Sequence, residues 1–194
     1  MKRVGIDLDS TVADYLHGAI PLLKEHYGLE PDYSKPSYTI EEVFGLTEQT
    51  RPPNMREHLY EDLHLFRHLP MLERDTYQLT WEIQRTLGAK VYFITARSHT
   101  PVIEEDTLFW LTYNGFTFDD VFFTKDKAQL CHAMKINVMM EDEVKQRVNL
   151  ITTGIDVVIP NQPWNDLPLP TGPGKITRSD NWREACHAIE EYLK

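Results

Sequence analysis

This 194-residue chain has only two cysteines and no long apolar run. Cys131 and Cys186 lie far apart with no CxxC spacing, which excludes a disulfide framework and a zinc knuckle. No stretch approaches the ~18 apolar residues a membrane helix needs, and a charge at Asp7 interrupts any export-signal segment at the start. Positive charge is also scarce: 20 Lys and Arg face 30 Asp and Glu, a formal charge of -10. That balance excludes a nucleic-acid coat, because phosphate backbones are bound by fields of Lys and Arg. A small anionic ligand would have to be met by a local cation or a few aimed donors. Apolar residues are plentiful, 41% with 11% aromatic, enough at this length for one domain with its own core. The expectation is a soluble, cytoplasmic protein with neither a nucleic-acid polymer nor a membrane as partner. The sequence leaves monomer or homodimer open.

Short runs rich in β-branched and aromatic residues recur at 4–6, 90–94, 121–123, 137–140 and 155–159. Strands buried on both faces read this way. Helical patterns lie between them. In 77–87, Leu79, Ile83 and Leu87 recur every four residues and Gly88 follows as a stop; Pro101 opens a second helix that Gly115 closes. Further helices are expected over 127–134, 143–152 and 182–193, with a Pro/Gly-rich loop over 160–174. Strand–helix alternation predicts a Rossmann-like α/β fold, an open and mostly parallel sheet with helices on both faces. Residues 12–75 break the rhythm, with helical patterns at 14–27, 39–44 and 54–66 separated by Pro31, Pro36, Pro52 and Pro53. So long an insert between the first two strands is no ordinary connection. It predicts a small helical cap (12–75) over the carboxyl edge of a core formed by 1–11 and 76–194.

The strand ends carry the chemistry. The first delivers Asp7 and Asp9 with Thr11 beyond, and the second Thr95, Ala96 and Arg97. Lys127 opens the third core helix, and the fourth strand delivers Glu141 and Asp142. In a parallel sheet these ends share one edge. Packed acids raise each other's pKa unless a cation sits among them, and oxygen-only ligands select a hard ion, Mg²⁺, that shares a substrate phosphate. Thr95 and Lys127 would supply donors to that phosphate, giving a phosphoryl-transfer site with a carboxylate nucleophile. Singly, each feature has an ordinary explanation: a turn, a strand-end threonine, a solvated lysine, acids opening a helix. Their joint order carries the reading.

With these residues in place, the chain resembles the haloacid-dehalogenase (HAD) superfamily of phosphohydrolases. The segment Asp7-Leu8-Asp9-Ser10-Thr11 is similar to its first motif, Thr95 to the second, Lys127 to the third and Glu141-Asp142 to the acidic fourth. Within the superfamily the sequence most resembles the 5'(3')-deoxyribonucleotidases and related bacterial nucleotidases. The likeness lies in residues 7–15, which resemble a DxDGVLADF opening, in Lys125-Asp126-Lys127, in Pro163-Trp164-Asn165 and in Asn181-Trp182. The resemblance implies that Asp7 attacks phosphorus to form a phosphoaspartate, while Asp9 protonates the leaving group and then activates water. It implies Mg²⁺ on Asp7, the Asp9 carbonyl and the fourth-motif acids, with Glu141 favoured as the direct ligand and Asp142 direct or water-bridged. Thr95, Ala96 and Lys127 would hold the phosphate, and Tyr15, Lys125 and Arg97 the rest of a small phosphate monoester, a nucleoside monophosphate above all. Ser10 stands where glycine is usual, and Lys125 where arginine is frequent.

Two other readings accompany this one. A HAD phosphatase could act on a sugar phosphate or another small phosphoester. A receiver-like signalling domain also gathers acids, Thr and Lys around Mg²⁺, but with its acid pair on the first strand, unlike the order here. The insert's aromatics, Tyr15, Tyr27, Tyr33, Tyr38, Phe44, Tyr60 and Phe66, are expected to pack its own core, Tyr15 excepted as a base-stacking residue. Arg97 could reach a phosphate or pair with a neighbouring acid. His64 and His68, four apart, read as a pair on a helix surface, since no HExxH accompanies them.

Overall fold

A computed structural model describes residues 1–34, 37 and 39–194; Pro36 and Tyr38 of the insert fall outside that set. Six parallel strands lie in the order β3-β2-β1-β4-β5-β6. They are β1 (Arg3–Ile6), β2 (Lys90–Thr95), β3 (Asp120–Phe123), β4 (Val138–Met140), β5 (Asp156–Pro160) and β6 (Ile176–Ser179). The order reverses at β1, which pairs with β2 on one side and β4 on the other. Such a reversal opens a crevice at the carboxyl ends of the strands.

Alternating side chains divide the core into two layers, as the pleat requires. Val4, Ile6, Val91, Phe93, Val138, Met140 and Val158 face one way. They meet Leu79 and Ile83 of α4 (Tyr77–Arg85), Trp110 and Leu111 of α5 (Pro101–Tyr113), and Ala185 and Ile189 of α8 (Trp182–Tyr192). Tyr92, Ile94, Met139, Val157 and Ile159 face the other way, against Cys131 of α6 (Lys127–Met134) and Leu150 and Ile151 of α7 (Val144–Thr152). Gly5 lies where β1 is tightest: a Cβ there would come within 2.6 Å of Met139 Sδ and 3.0 Å of Ile94 Cδ1. Asn181, singled out beside Trp182, accepts from the amides of Arg183 and Glu184 and so caps α8.

Between β1 and α4 the described residues contain no strand of the sheet. They hold α1 (Tyr15–Tyr27), α2 (Ile40–Val43), α3 (Met55–Glu57), a π turn (His58–Asp62) and a 3₁₀ turn (Leu65–Arg67). Asp14 caps α1, accepting from the His17 amide, and Gly28 ends it in the left-handed region at φ 63°.

Four expectations are corrected. The pattern over 54–66 is not one helix: the coil widens at 58–62, and His64 adopts φ 53°, which stops α-helical hydrogen bonding. His64 and His68 therefore do not share a helix surface; His64 Nδ1 instead lies 2.9 Å from Asp106 Oδ2. Tyr33 does not pack a core, being 70% exposed, whereas Phe66 is buried in the core and Tyr27, Phe44 and Tyr60 pack against that core. Finally, β6 had no counterpart in the pattern, because Ile176-Thr177-Arg178-Ser179 is a short, polar edge strand.

Candidate active site

Asp7 and Asp9 follow β1, and the Asp7 amide extends the ladder by donating to the Met140 carbonyl (3.0 Å). The chain then turns sharply, with the amides of Val12 and Ala13 both donating to the Leu8 carbonyl at 2.9 Å. Ser10 holds φ 62° in that turn, a conformation that costs a non-glycine residue roughly 1–2 kcal/mol. Its carbonyl accepts from Gln162 Nε2 (3.3 Å). Thr95 ends β2, and its Oγ1 accepts the Arg97 amide (3.2 Å), which leaves the hydroxyl proton to donate elsewhere. Lys127 stands at the first position of α6, behind the cap residue Asp126.

The Lys127 ammonium is the hub. It lies 2.6 Å from Asp7 Oδ1 and 2.7 Å from Glu141 Oε2, and only 1% of the residue is exposed. Glu141 is fully buried, and its other oxygen accepts the Glu143 amide (3.1 Å). Asp142 accepts from Thr11 Oγ1 (3.2 Å) and Trp164 Nε1 (3.3 Å). Oxygens of Asp7, Glu141 and Asp142 fall within 4.8 Å of one another. Burial comes first among the causes that raise all three carboxyls; Lys127 opposes it at each, while neighbouring carboxylates add to it. Asp142 is pushed up to about 7. Against three buried acids stand the Lys127 ammonium, in contact with two of them, and the buried Arg147 guanidinium, whose field reaches Glu141 and Asp142, so the donor set is still short of positive charge. All-oxygen donors of this kind fit a hard divalent cation such as Mg²⁺.

These groups floor a cleft of about 310 Å³. Asp7, Asp9, Tyr15, Thr95, Ala96, Arg97, Lys125, Lys127 and Asp142 line it, whereas Glu141 lies behind the lining. The insert adds Thr39, Glu41, Arg56, Tyr60 and Phe66. Tyr15 and Tyr60 share a hydrogen bond between their hydroxyls (2.7 Å), and the Tyr60 and Phe66 rings lie 4.7 Å apart. Burial raises both phenols, that of Tyr15 well above its ordinary value. Arg56 pairs with Glu41 at 2.6 Å.

Of the two roles open to Arg97, a phosphate contact or a pairing with a neighbouring acid, the structure shows the pairing, at the edge of the same cleft. Arg97 Nη2 and Nε donate to the two oxygens of Asp9 at 2.7 and 2.9 Å. Lys125 is at the cleft, and its carbonyl accepts from Gln146 Nε2 (3.1 Å). Arg56, Glu41 and Thr107 also belong to the site, and no local pattern distinguishes them in the sequence. Tyr60 and Phe66, expected in the insert's core, line the cleft as well.

No family model and no curated protein sequence matches the chain. Solved structures do. A dehalogenase with an intermediate complex aligns over 97% of this chain and 96% of its own, at 11% identity and a TM-score of 0.61. A HAD family hydrolase from Deinococcus radiodurans R1, with bound phosphate and sodium, aligns over 99% and 96%, at 15% identity and a TM-score of 0.59. The chain has the HAD-like α/β fold, and at such identities the likeness is one of fold. Among the described residues no helix is long and apolar enough to cross a membrane.

Proposed function

We propose that the protein is a Mg²⁺-dependent phosphomonoesterase whose substrate is a small phosphate ester, a nucleoside monophosphate before others. The observation that carries this reading is a carboxylate, Asp7, held 2.6 Å from a buried ammonium on the floor of a cleft that also has aromatic lining. Asp7 is the nucleophile. One of its oxygens bonds to phosphorus as the ester P–O bond breaks, and the departing oxygen keeps the electron pair and takes a proton from Asp9. Water then attacks phosphorus, Asp9 takes its proton, and the P–O bond to Asp7 breaks to free phosphate and restore the carboxylate.

Lys127 and the Thr95 hydroxyl donate to the phosphoryl oxygens, with Ala96 beside them. Asp7, the Asp9 carbonyl and Asp142 would hold Mg²⁺. Glu141, whose two oxygens serve Lys127 and the Glu143 amide, would sit behind as the ion's outer support. The cation, when bound, neutralises charge on the carboxylates and phosphate. Residues 12–75 act as a cap on the core of 1–11 and 76–194. Tyr15, Tyr60 and Phe66 offer faces to a base, each stack being worth roughly 1–3 kcal/mol, and Lys125 stands at the same cleft.

Phosphate release from a panel of ribo- and deoxynucleoside monophosphates, with Mg²⁺ and with chelator, tests the reading. Asp7→Asn should abolish turnover. A panel in which no nucleotide turns over but sugar phosphates do would move the protein to the second reading, a sugar-phosphate phosphatase. Glu143 and the Arg56–Glu41 pair at the cleft favour that reading, as they suit a polyhydroxylated group. Release from no phosphoester at all would refute both.

A further inference from the structure

Arg97 is built into place rather than merely near Asp9. Its side chain is 1% exposed. Two N–H groups grip both oxygens of Asp9 at 2.7 and 2.9 Å, the fork-on-fork geometry that only arginine provides. A third, on Nη1, donates to Thr107 Oγ1 (2.9 Å), whose own proton goes to the Ile103 carbonyl (2.6 Å) inside α5. Phe66 of the insert covers the guanidinium, with its ring centroid 4.1 Å from Cζ. The guanidinium is thus fixed by the core on one side and the insert on the other, and its fork is spent on a carboxylate.

We propose that Arg97 is a positioning residue that acts through Asp9, with Thr107 and Phe66 holding it in aim. This rests on the reading of Asp9 as the group that gives its proton to the leaving oxygen. A carboxyl side chain turns freely about its χ angles unless something fixes it. Proton transfer needs heavy atoms within hydrogen-bond reach, about 2.6–3.2 Å. Arg97 supplies the fixed direction. A phosphate ligand at this position would instead act on substrate binding, so the two roles separate kinetically.

The test compares Arg97→Met and Arg97→Lys with the wild-type enzyme on two substrates. One is a nucleoside monophosphate, whose alkoxide must be protonated to leave. The other is p-nitrophenyl phosphate, whose phenolate leaves without a proton. The constant to compare is kcat/KM, which covers the steps up to phosphoryl transfer to Asp7. Isothermal titration with inorganic phosphate reports binding independently of turnover.

The expected result is a fall of roughly 10²-fold in kcat/KM for the nucleotide. The fall with p-nitrophenyl phosphate should be at least tenfold smaller than with the nucleotide, and phosphate affinity should fall by less than tenfold, with no rescue by lysine. Equal losses on both substrates, with phosphate binding weakened tenfold or more, would make Arg97 a phosphate ligand and overturn the proposal. Unchanged kinetics in both variants would overturn it too, while wild-type turnover would leave the phosphatase reading standing. A wild-type enzyme that turns over neither substrate overturns both. If the Arg97 variants do not fold, Thr107→Val must show the same leaving-group dependence at smaller size, and its absence counts against the proposal.

Discussion

The ammonium of Lys127 lies 2.6 Å from the carboxylate of Asp7 and bridges it to Glu141, so one buried cation ties the start of α6 to the ends of β1 and β4. Removing one member of such a group leaves buried charge unpaired, at a cost of about 3–5 kcal/mol. Lys127→Met should therefore lower the urea midpoint of the chelated protein by about 1–5 M, given ordinary m-values of about 1–3 kcal/mol/M. A midpoint equal to wild type would show that the acids discharge by taking protons instead.

Asp142 lines the cleft and Glu141 does not. Asp142→Asn is expected to weaken Mg²⁺ binding at least tenfold, read by calorimetry. Glu141→Leu should weaken it less and lower the melting temperature of the metal-free protein more, because it strips Lys127 of a partner. The reverse order would place the ion on Glu141.

The same acids set a pH dependence. Asp142 has its folded pKa raised to about 7 from an ordinary value near 3.8, and Asp7 and Glu141 shift the same way. Between those limits the folded chain keeps protons that the unfolded chain has lost. Stability in chelator should then be greatest at the acid end and decline as pH climbs through about 7. Mg²⁺ binds the ionised form and offsets this, so the gain in melting temperature from Mg²⁺ should widen from about pH 5.5 to pH 8. Thermal unfolding with and without Mg²⁺ across that range checks it; a constant gain would contradict it.

Tyr15 and Tyr60 share a 2.7 Å hydrogen bond at the cleft. Tyr15→Ala removes a stacking face and should raise KM for a nucleotide about tenfold or more, in line with 1–3 kcal/mol per stack. KM for a small sugar phosphate should move little. Equal changes for both would mean that Tyr15 shapes the insert rather than touching a base.

Most of the sheet could be read from the chain, because β1, β2, β4 and β5 are buried on both faces and their residues are apolar almost throughout. The edge strand β6 is polar and half exposed, so nothing distinguished it from loop. The insert misled for another reason: its period was helical, but His64 in the left-handed region breaks the coil. At the site, the chemistry-bearing residues follow strand ends in chain order and were visible for that reason. Their partners were not. Arg97 meets Asp9 across 88 positions and Tyr15 meets Tyr60 across 45, and no local pattern encodes such encounters.

The position of β1 has a consequence for how the molecule assembles. Val4 pairs with Val91 on one flank and Val138 on the other, so the earliest strand is completed only by segments made much later. Distant pairings of this kind close slowly and leave apolar edges bare in the meantime. A nascent chain cut short before β4 would display Val4 and Ile6 along an open ladder, a natural grip for chaperones and an invitation to aggregation.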